Sequence, residues 1–222
     1  MSPTPKIVIC GPPAGGKGTQ CELLVAKHNV VHLSTGDMLR AAIQANTPLG
    51  IEAKKYMDAG DLVPDELIIK VVLARLQEED CRKQGWLLDG FPRTEPQAKA
   101  MLEHKIVPNL VILLNVPDEE VIKRISGRRV DLKTGKTYHI TFNPPPPDVE
   151  VVQRSDDTEA TLITRLEKYH ENCGAVIDAF SSTCSLCKVD GMQAKEMVFE
   201  CIEKDMPRPT IWSSLLDKLH FW

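Results

Sequence analysis

The chain has 222 residues, of which 42% are hydrophobic and 26% are charged, the proportions of a globular protein that can bury a substantial core. Its formal net charge of −4 argues against a general nucleic-acid-binding protein, because no basic surplus is available to neutralise phosphates. It has no apolar run of the ~18 residues that a membrane span requires, and no secretory signal is visible, so we expect a cytoplasmic protein.

The first predicted elements are a buried strand, a glycine-rich loop and a helix. The apolar run 6–10 predicts the strand, residues 20–26 predict the helix, and residues 11–19 read Gly-Pro-Pro-Ala-Gly-Gly-Lys-Gly-Thr. Glycines allow backbone N–H groups to approach an anion, Lys17 supplies a positive charge, and the helix directs its positive end to the same place. The segment therefore predicts a phosphate-binding loop, with a glycine-rich hairpin as the alternative. Residue 18 is Gly rather than Ser or Thr, which moves the hydroxyl to Thr19.

The next predicted elements alternate between strands and helices. Apolar segments rich in β-branched residues predict strands at 30–34, 86–89, 110–116 and 184–189. Helical periodicity occurs at 65–79, 118–125 and 158–180. Asp157 or Thr158 can cap the last helix, and its apolar face comprises Leu162, Ile163, Leu166, Tyr169 and Cys173. This alternation predicts an α/β fold with a parallel sheet covered on both faces.

Two segments do not follow the alternation. Residues 36–64 read as short helices with turns at 48–50 and 58–60. Residues 127–157 are polar and proline-rich, with a hairpin turn at 133–136, and they predict a small extended flap on the surface. Two insertions beside a phosphate-binding loop suggest mobile segments that close over the site. The alternative is that both are surface segments without a role at the site.

The cysteines and the carboxyl-terminal segment carry weaker signals. The chain has seven cysteines, an odd number that favours reduced thiols. Cys184 and Cys187 form a CxxC pair compatible with redox chemistry or half of a metal site, but packing in a short strand is the preferred interpretation. Residues 208–222 place apolar side chains on one helical stripe, which we expect to pack on the protein's own surface. Docking of this stripe to a partner or a membrane interface is the alternative.

Further motifs follow the second and third predicted strands and occupy the flap. Residues 34–40 read Ser-Thr-Gly-Asp-Met-Leu-Arg, and residues 88–94 read Leu-Asp-Gly-Phe-Pro-Arg-Thr. In the flap, residues 127–129 read Gly-Arg-Arg, and residues 138–145 include Tyr-His and Phe-Asn-Pro-Pro. Together with the glycine-rich loop, these motifs resemble those of adenylate kinases in the longer form with an extended lid, in the same order over about residues 5–205.

The resemblance implies a fold of the P-loop NTPase type, with three α/β/α layers, a five-stranded parallel sheet, a helical insert for the nucleoside monophosphate and a β-rich lid. It divides the chain into a core (5–33, 65–126 and 158–205), an AMP-binding segment (34–64), a lid (127–157) and a tail (206–222). It also implies a Mg²⁺-dependent monomer that catalyses ATP + AMP ⇌ 2 ADP and binds nucleotides but no nucleic acid. No zinc is expected, since the lid lacks the four cysteines that bind zinc in some bacterial relatives.

The resemblance also implies roles for individual residues. The basic residues implied to act on the transferred phosphoryl group are Lys17, Arg93, Arg124, Arg128, Arg154 and Arg165. The residues implied to bind ATP are Ala14, Gly15, Gly16, Lys17, Gly18, Thr19, Arg124, Arg128, Thr137, Tyr138, His139 and Gln193. The residues implied to hold AMP are Thr35, Arg40, Asp61, Leu62, Val63, Gly90, Phe91, Arg93, Gln97, Arg154 and Arg165. Asp89 and Thr19 would hold Mg²⁺, through water.

Basic residues suit this reaction because phosphoryl transfer depends on positioning, charge stabilisation and exclusion of water. A guanidinium group donates paired hydrogen bonds to phosphate and stays protonated. By resemblance, Thr35 and Gln97 favour AMP as the acceptor, and Arg129 and His139 favour ATP over GTP as the donor. The alternatives are a UMP/CMP kinase and a nucleotide-sensing interaction module that works through the tail.

Overall fold

Five parallel strands form the central sheet of the computed structural model, which describes residues 4–207. The strands, in chain order, are β1 (Lys6–Cys10), β2 (Val31–Ser34), β3 (Trp86–Asp89), β4 (Leu110–Asn115), β5 (Arg128–Val130), β6 (Thr137–His139) and β7 (Ser185–Asp190). Strands β5 and β6 pair with each other and lie outside the central sheet. The helices are α1 (Lys17–His28), α2 (Thr35–Gln44), α3 (Pro48–Ala59), α4 (Asp65–Leu76), α5 (Glu79–Gln84), α6 (Glu95–Glu103), α7 (Asp118–Gly127), α8 (Glu159–Phe180) and α9 (Lys195–Asp205).

The sheet has the strand order β2-β3-β1-β4-β7, and helices cover both of its faces. Successive side chains of a strand point to opposite faces, so neighbours in β1 enter different clusters. Val8 is buried on the side of α4, α6 and α8, whereas Ile7 and Ile9 are buried on the side of α1 and α9. This arrangement confirms the predicted three-layer α/β fold with a five-stranded parallel sheet.

All five strands of the sheet run in the same direction, so their carboxyl ends share one edge. The loops after β1, β2, β3, β4 and β7 therefore meet at that edge, where ligands bind in open α/β sheets. The glycine-rich loop follows β1, and residues 34–40 and 88–94 follow β2 and β3. The sheet thus collects the motifs that are far apart in the chain.

The two inserted segments have the predicted helical and extended character, with one correction. Residues 48–50 are not a turn but the first turn of α3, because Pro48 is tolerated at the start of a helix and the Thr47 hydroxyl accepts a hydrogen bond from Gly50 N–H at 3.1 Å. The predicted turn at 58–60 is confirmed, since Gly60 ends α3 with a φ of 81°. The hairpin turn at 133–136 is also confirmed, and it joins the antiparallel strands β5 and β6.

The other element boundaries agree with the predictions to within a few residues. Helix 65–79 ends earlier, at Leu76, and the separate helix α5 follows it. Thr158 caps α8, as one of the two alternatives predicted, but Ile163 is 46% exposed and so does not belong to the apolar face. The helices α5, α6 and α9 were not predicted, because short or polar helices leave a weak periodic signal.

Three further predictions concern membrane spans, the carboxyl-terminal segment and the CxxC pair. Among residues 4–207, no helix has the length and hydrophobicity needed to cross a membrane. The amphipathic helix predicted for 208–222 lies outside the described residues. Cys187 lies in β7 and is 2% exposed, and Cys184 directly precedes that strand, which agrees with packing as the role of this pair.

Candidate active site

The glycine-rich segment 11–16 forms a loop between β1 and α1. Gly16 precedes the first helical residue with a φ of 92°, a left-handed conformation that glycine adopts without strain. A Cβ at Gly15 would lie 3.0 Å from the Pro12 carbonyl oxygen, so the close turn needs glycine there too. Gly16 has no side chain with which to cap α1, and the positive end of the helix faces the loop. The strand, loop and helix are confirmed, the hairpin alternative is wrong, and the geometry suits a phosphate.

Lys17 is the first residue of α1, and its side chain folds back over the loop. Its Nζ atom donates hydrogen bonds to the carbonyl oxygens of Gly11 at 2.8 Å and Pro12 at 2.7 Å. Burial lowers the pKa of Lys17 to about 8, although the nearby Asp89 carboxylate opposes the shift. A bound anion would raise this pKa again, so the loop favours a negatively charged ligand.

Two adjoining clefts open at the carboxyl edge of the sheet. The first lies beside the loop and is lined by Lys17 and Gly90. The second is lined by predicted AMP-binding residues: Thr35, Arg40, Asp61, Leu62, Val63, Arg93, Gln97 and Arg165. The residues that line both clefts are Gly60, Leu62, Arg93 and Arg165. The two clefts therefore meet at a pair of arginines.

The start of α2 is held tightly against the end of β3. The hydroxyl of Thr35 donates hydrogen bonds to the carbonyl oxygens of Gly90 at 2.9 Å and Asp89 at 3.3 Å. Gly90 has a φ of 81°, and a Cβ there would lie 2.8 Å from both the Thr35 hydroxyl and the Arg93 guanidinium. Gly90 thus allows two site residues to approach each other. Phe91 is 1% exposed, so its side chain packs in the core and not in the clefts.

A hydrogen-bond network fixes the segment that carries Arg93. The side-chain oxygen of Gln97 accepts from the Arg93 N–H at 2.7 Å, and its amide donates to the Asp65 carboxylate at 2.7 Å. Thr94 donates to the other oxygen of Asp65 at 2.9 Å. Gln97 therefore lines the second cleft and also holds the backbone of Arg93 in place. Asp65 was not among the predicted site residues, because an Asp directly after Pro64 is typical of the acidic first turn of a helix.

Three of the predicted arginines are positioned by carboxylates that were not predicted as site residues. The Arg165 guanidinium donates to Asp156 at 2.8 Å, and Arg40 pairs with Asp37 one turn earlier in α2. Arg128 binds Asp157 through two of its nitrogens, and both side chains are buried. Burial by itself raises the pKa of Asp156, but Arg165 and its neighbours hold that pKa below its ordinary value. The cluster therefore stays charged and keeps the guanidinium groups in fixed positions.

Arg154 lies in the same cluster with only a long ion pair. Its nearest carboxylate among the described ion pairs is Asp37, at 3.6 Å, and its buried Nε has no hydrogen-bond partner within residues 4–207. Burial lowers the pKa of Arg154 to about 10, and repulsion from Arg40 and Arg128 adds to this effect. Excess positive charge and an unused donor are typical of a site that binds an anion.

The predicted donor residues lie around the other side of the loop. Arg124 on α7 donates two hydrogen bonds to the Gly191 carbonyl oxygen at 3.3 Å, which joins α7 to the loop that contains Gln193. The backbone of Thr137 lies close enough to the Glu22 carboxylate to lower its pKa against the effect of burial, so the flap lies against α1. His139 uses Nδ1 to accept from the N–H groups of residues 141 and 142, and its buried Nε2 has no partner in the described part of the chain. Tyr138 is buried within the flap.

The oxygen ligands suited to Mg²⁺ are near the loop. Asp89 ends β3, its side chain is 16% exposed, and its carboxylate lies close enough to Lys17 to influence its pKa. Thr19 lies in the first turn of α1. A carboxylate and a hydroxyl match the preference of Mg²⁺ for oxygen ligands and for keeping several waters.

The buried pair of Arg128 and Asp157 gives a testable stability prediction. We expect Asp157→Asn to lower the free energy of unfolding by about 3 kcal/mol, because it leaves the Arg128 guanidinium buried without a counter-charge. Urea unfolding measures this loss. The matched control is Asp58→Asn, which removes an exposed pair with Lys54 and is expected to cost less than about 1 kcal/mol. Equal losses in the two variants would contradict a stabilising role for the buried pair.

Comparisons with known proteins agree with this geometry. The family model described as adenylate kinase matches residues 9–185. The chain is 47% identical over 210 residues to an adenylate kinase of Clostridium perfringens strain SM101, an alignment that covers 90% of this chain and 97% of the relative. It is 45% identical over 214 residues to an adenylate kinase of Carboxydothermus hydrogenoformans, covering 91% of this chain and 100% of the relative.

Proposed function

The chain belongs to the adenylate kinase family and catalyses phosphoryl transfer from ATP to AMP to give two ADP, and we propose that AMP binds in the second cleft and that ATP binds along the phosphate loop. The observation that carries this assignment is the position of Arg93 and Arg165, which line the second cleft and extend towards Lys17 in the first. The phosphates of donor and acceptor have to approach each other at one point, and basic side chains there offset their repulsion.

The second cleft is proposed to bind AMP. Arg40 and Arg165, each held by a carboxylate, would receive its phosphate, and Arg93 would contact the same group from the end of β3. The apolar residues Leu62 and Val63 would pack against its base, with Gln97 at the same wall. Thr35 and Gly90 shape the entrance through their hydrogen bond rather than through a free hydroxyl. The segment 34–64, which contains α2 and α3, is accordingly proposed to be the AMP-binding subdomain.

The phosphate loop and the flap are proposed to bind ATP. The N–H groups at the start of α1 and the Lys17 ammonium would bind its β- and γ-phosphates. Arg124 and the loop near Gln193 are joined by hydrogen bonds, and together they would form the adenine site. The unpartnered Nε of Arg154 is a donor that would face the transferred phosphoryl group.

In this arrangement a phosphate oxygen of AMP attacks the γ-phosphorus of ATP directly. A bond forms between that oxygen and phosphorus, the bond from phosphorus to the β–γ bridging oxygen breaks, and ADP leaves on each side. The lysine and arginine side chains stabilise the charge spread over the transferred oxygens. The acceptor is already an anion held in line, so the chain needs no covalent intermediate. Closure of segments 34–64 and 127–157 would exclude water, which otherwise takes the phosphoryl group.

Asp89 and Thr19 are proposed to hold the Mg²⁺ that accompanies ATP, through water. When bound, this ion neutralises charge on the β- and γ-phosphates. The role of Asp89 itself is to orient the metal-bound waters from the end of β3. The flap 127–157 is proposed to be a lid of the longer type that needs no zinc, since it contains no cysteine.

A coupled assay across acceptors and donors tests the assignment of the two nucleotide sites. With ATP as donor we expect AMP to give a kcat/KM at least tenfold higher than UMP or CMP, and with AMP as acceptor ATP to exceed GTP. Comparable rates with UMP or CMP would favour the UMP/CMP kinase alternative. Binding of ATP and AMP without formation of ADP would favour the nucleotide sensor.

A further inference from the structure

Three side chains that commonly bind transition metals meet beside the phosphate loop. They are Cys21 on α1, His32 on β2 and Asp89 at the end of β3, and one ligand atom of each lies within 4.8 Å of the other two. The phosphoryl-transfer chemistry described above uses neither Cys21 nor His32. The proposed reaction therefore gives no reason for Cys21 and His32 to lie beside Asp89.

The sheet register explains why these residues meet. In the parallel pair of β2 and β3, His32 lies opposite Leu87 and Ser34 lies opposite Asp89. His32 and Asp89 are therefore diagonal neighbours whose side chains share one face of the sheet. Leu87 packs on that same face with Cys21, because α1 covers it. The three ligands are thus held by the rigid core and not by mobile loops.

The distances suit a metal ion. Zinc binds thiolate, imidazole and carboxylate ligands at about 2.0–2.3 Å, which in a tetrahedron puts the ligand atoms about 3.3–3.8 Å apart. The His32 Nε2 and Asp89 Oδ2 atoms are 3.9 Å apart, and the Cys21 Sγ atom completes the group within 4.8 Å. Small side-chain movements would close the site. A set of sulfur, nitrogen and oxygen ligands favours Zn²⁺ over Mg²⁺, which prefers oxygen alone.

Access to the cluster is from the side of His32. The His32 side chain is 31% exposed and that of Asp89 is 16% exposed, whereas Cys21 is completely buried. A cation can therefore reach the imidazole and carboxylate first and contact the thiolate behind them. Three protein ligands leave the fourth position of zinc open to water.

We propose that Cys21, His32 and Asp89 form an inhibitory Zn²⁺ site that removes the Asp89 carboxylate from the Mg²⁺ of ATP. The inhibitory part rests on the proposed role of Asp89, whereas the metal site itself rests on the cluster alone. When zinc binds, sulfur and zinc form a bond and the thiol proton is released to solvent. Zinc would then compete with Mg²⁺ through one shared ligand.

Cobalt binding to the full chain tests the site without reference to activity. Co²⁺ replaces Zn²⁺ in such sites, and a thiolate ligand gives it a sulfur-to-metal charge-transfer band in the near ultraviolet. We expect this band in the wild type, its loss in Cys21→Ala, and at least a tenfold weaker affinity in His32→Asn. The matched control is the double variant Cys184→Ala/Cys187→Ala, which removes the CxxC pair and is expected to keep the band. A band that survives Cys21→Ala, or that is lost with the CxxC pair, would overturn the site.

Zinc inhibition tests the link to the reaction. Micromolar Zn²⁺ is expected to inhibit ADP formation by the wild type, and added Mg²⁺ to relieve this inhibition. Cys21→Ala and His32→Asn are expected to keep their zinc-free rates and to lose at least tenfold in zinc sensitivity. Unchanged zinc sensitivity in both variants would overturn the inhibitory role. Failure of the zinc-free wild type to form ADP would instead contradict the proposed function, and the cobalt result would be unaffected.

Discussion

The Lys17→Met variant is expected to lose about a thousandfold in kcat while keeping its fold, a loss typical of removing one charge that stabilises a transition state. Methionine has nearly the length of lysine but neither its charge nor its N–H donors. The variant therefore loses the cation at the start of α1 and the hydrogen bonds from Nζ to the carbonyl oxygens of Gly11 and Pro12. Steady-state kinetics with ATP and AMP measure the loss, and circular dichroism checks the fold.

Lys27→Met is the matched control for this variant. Lys27 lies in the same helix, but its Nζ pairs with Glu203 at 2.6 Å and lies over the Phe199 ring, away from the loop. The kcat of Lys27→Met is expected to stay within about twofold of the wild type, because Lys27 does not reach the loop and an exposed ion pair contributes little to stability. A kcat of Lys17→Met within tenfold of the wild type would contradict the role proposed for Lys17.

The second large effect is expected for Arg93→Ala, with a loss of kcat of about a thousandfold. Arg93 lines both clefts, and its Nε donates to the Gly90 carbonyl oxygen at 2.7 Å. Among the ion pairs of residues 4–207 none includes Arg93, whereas Arg40, Arg128 and Arg165 each pair with a carboxylate. Its charge is therefore available to the transferred phosphoryl group. Initial rates at saturating ATP and varied AMP separate kcat from KM.

Arg82→Ala is the matched control, because Arg82 is an exposed residue of α5 that lines neither cleft. It is expected to leave both kcat and the KM for AMP unchanged. If Arg93→Ala raised only the KM for AMP and left kcat intact, Arg93 would contribute to binding alone. That result would exclude it from charge stabilisation in the transition state.

Local constraints made much of this protein predictable from its sequence. The loop 11–19 needs glycine where the backbone turns tightly, the strand before it is an apolar run, and the helix after it buries one face that includes Cys21 and Leu24. The strands of the sheet are buried on both faces, so each is a short apolar run that alternates with helices. Such features depend on neighbouring residues, and the parallel sheet and the strand-loop-helix unit were therefore predicted correctly. The number of strands in the sheet was implied by the resemblance that the motifs at 34–40 and 88–94 carry.

The partners of the site residues were decided by the tertiary structure alone. Asp157 reaches Arg128, and Asp65 reaches Gln97, because separate elements pack together across 29 and 32 residues of chain. Pro48 begins a helix rather than a turn because Thr47 is placed to cap it. The approach of Cys21 and His32 to Asp89 depends on strand register and on the helix that covers the sheet. A pattern in the chain records which side chains face inward, but not which of them meet, since that depends on how distant elements pack.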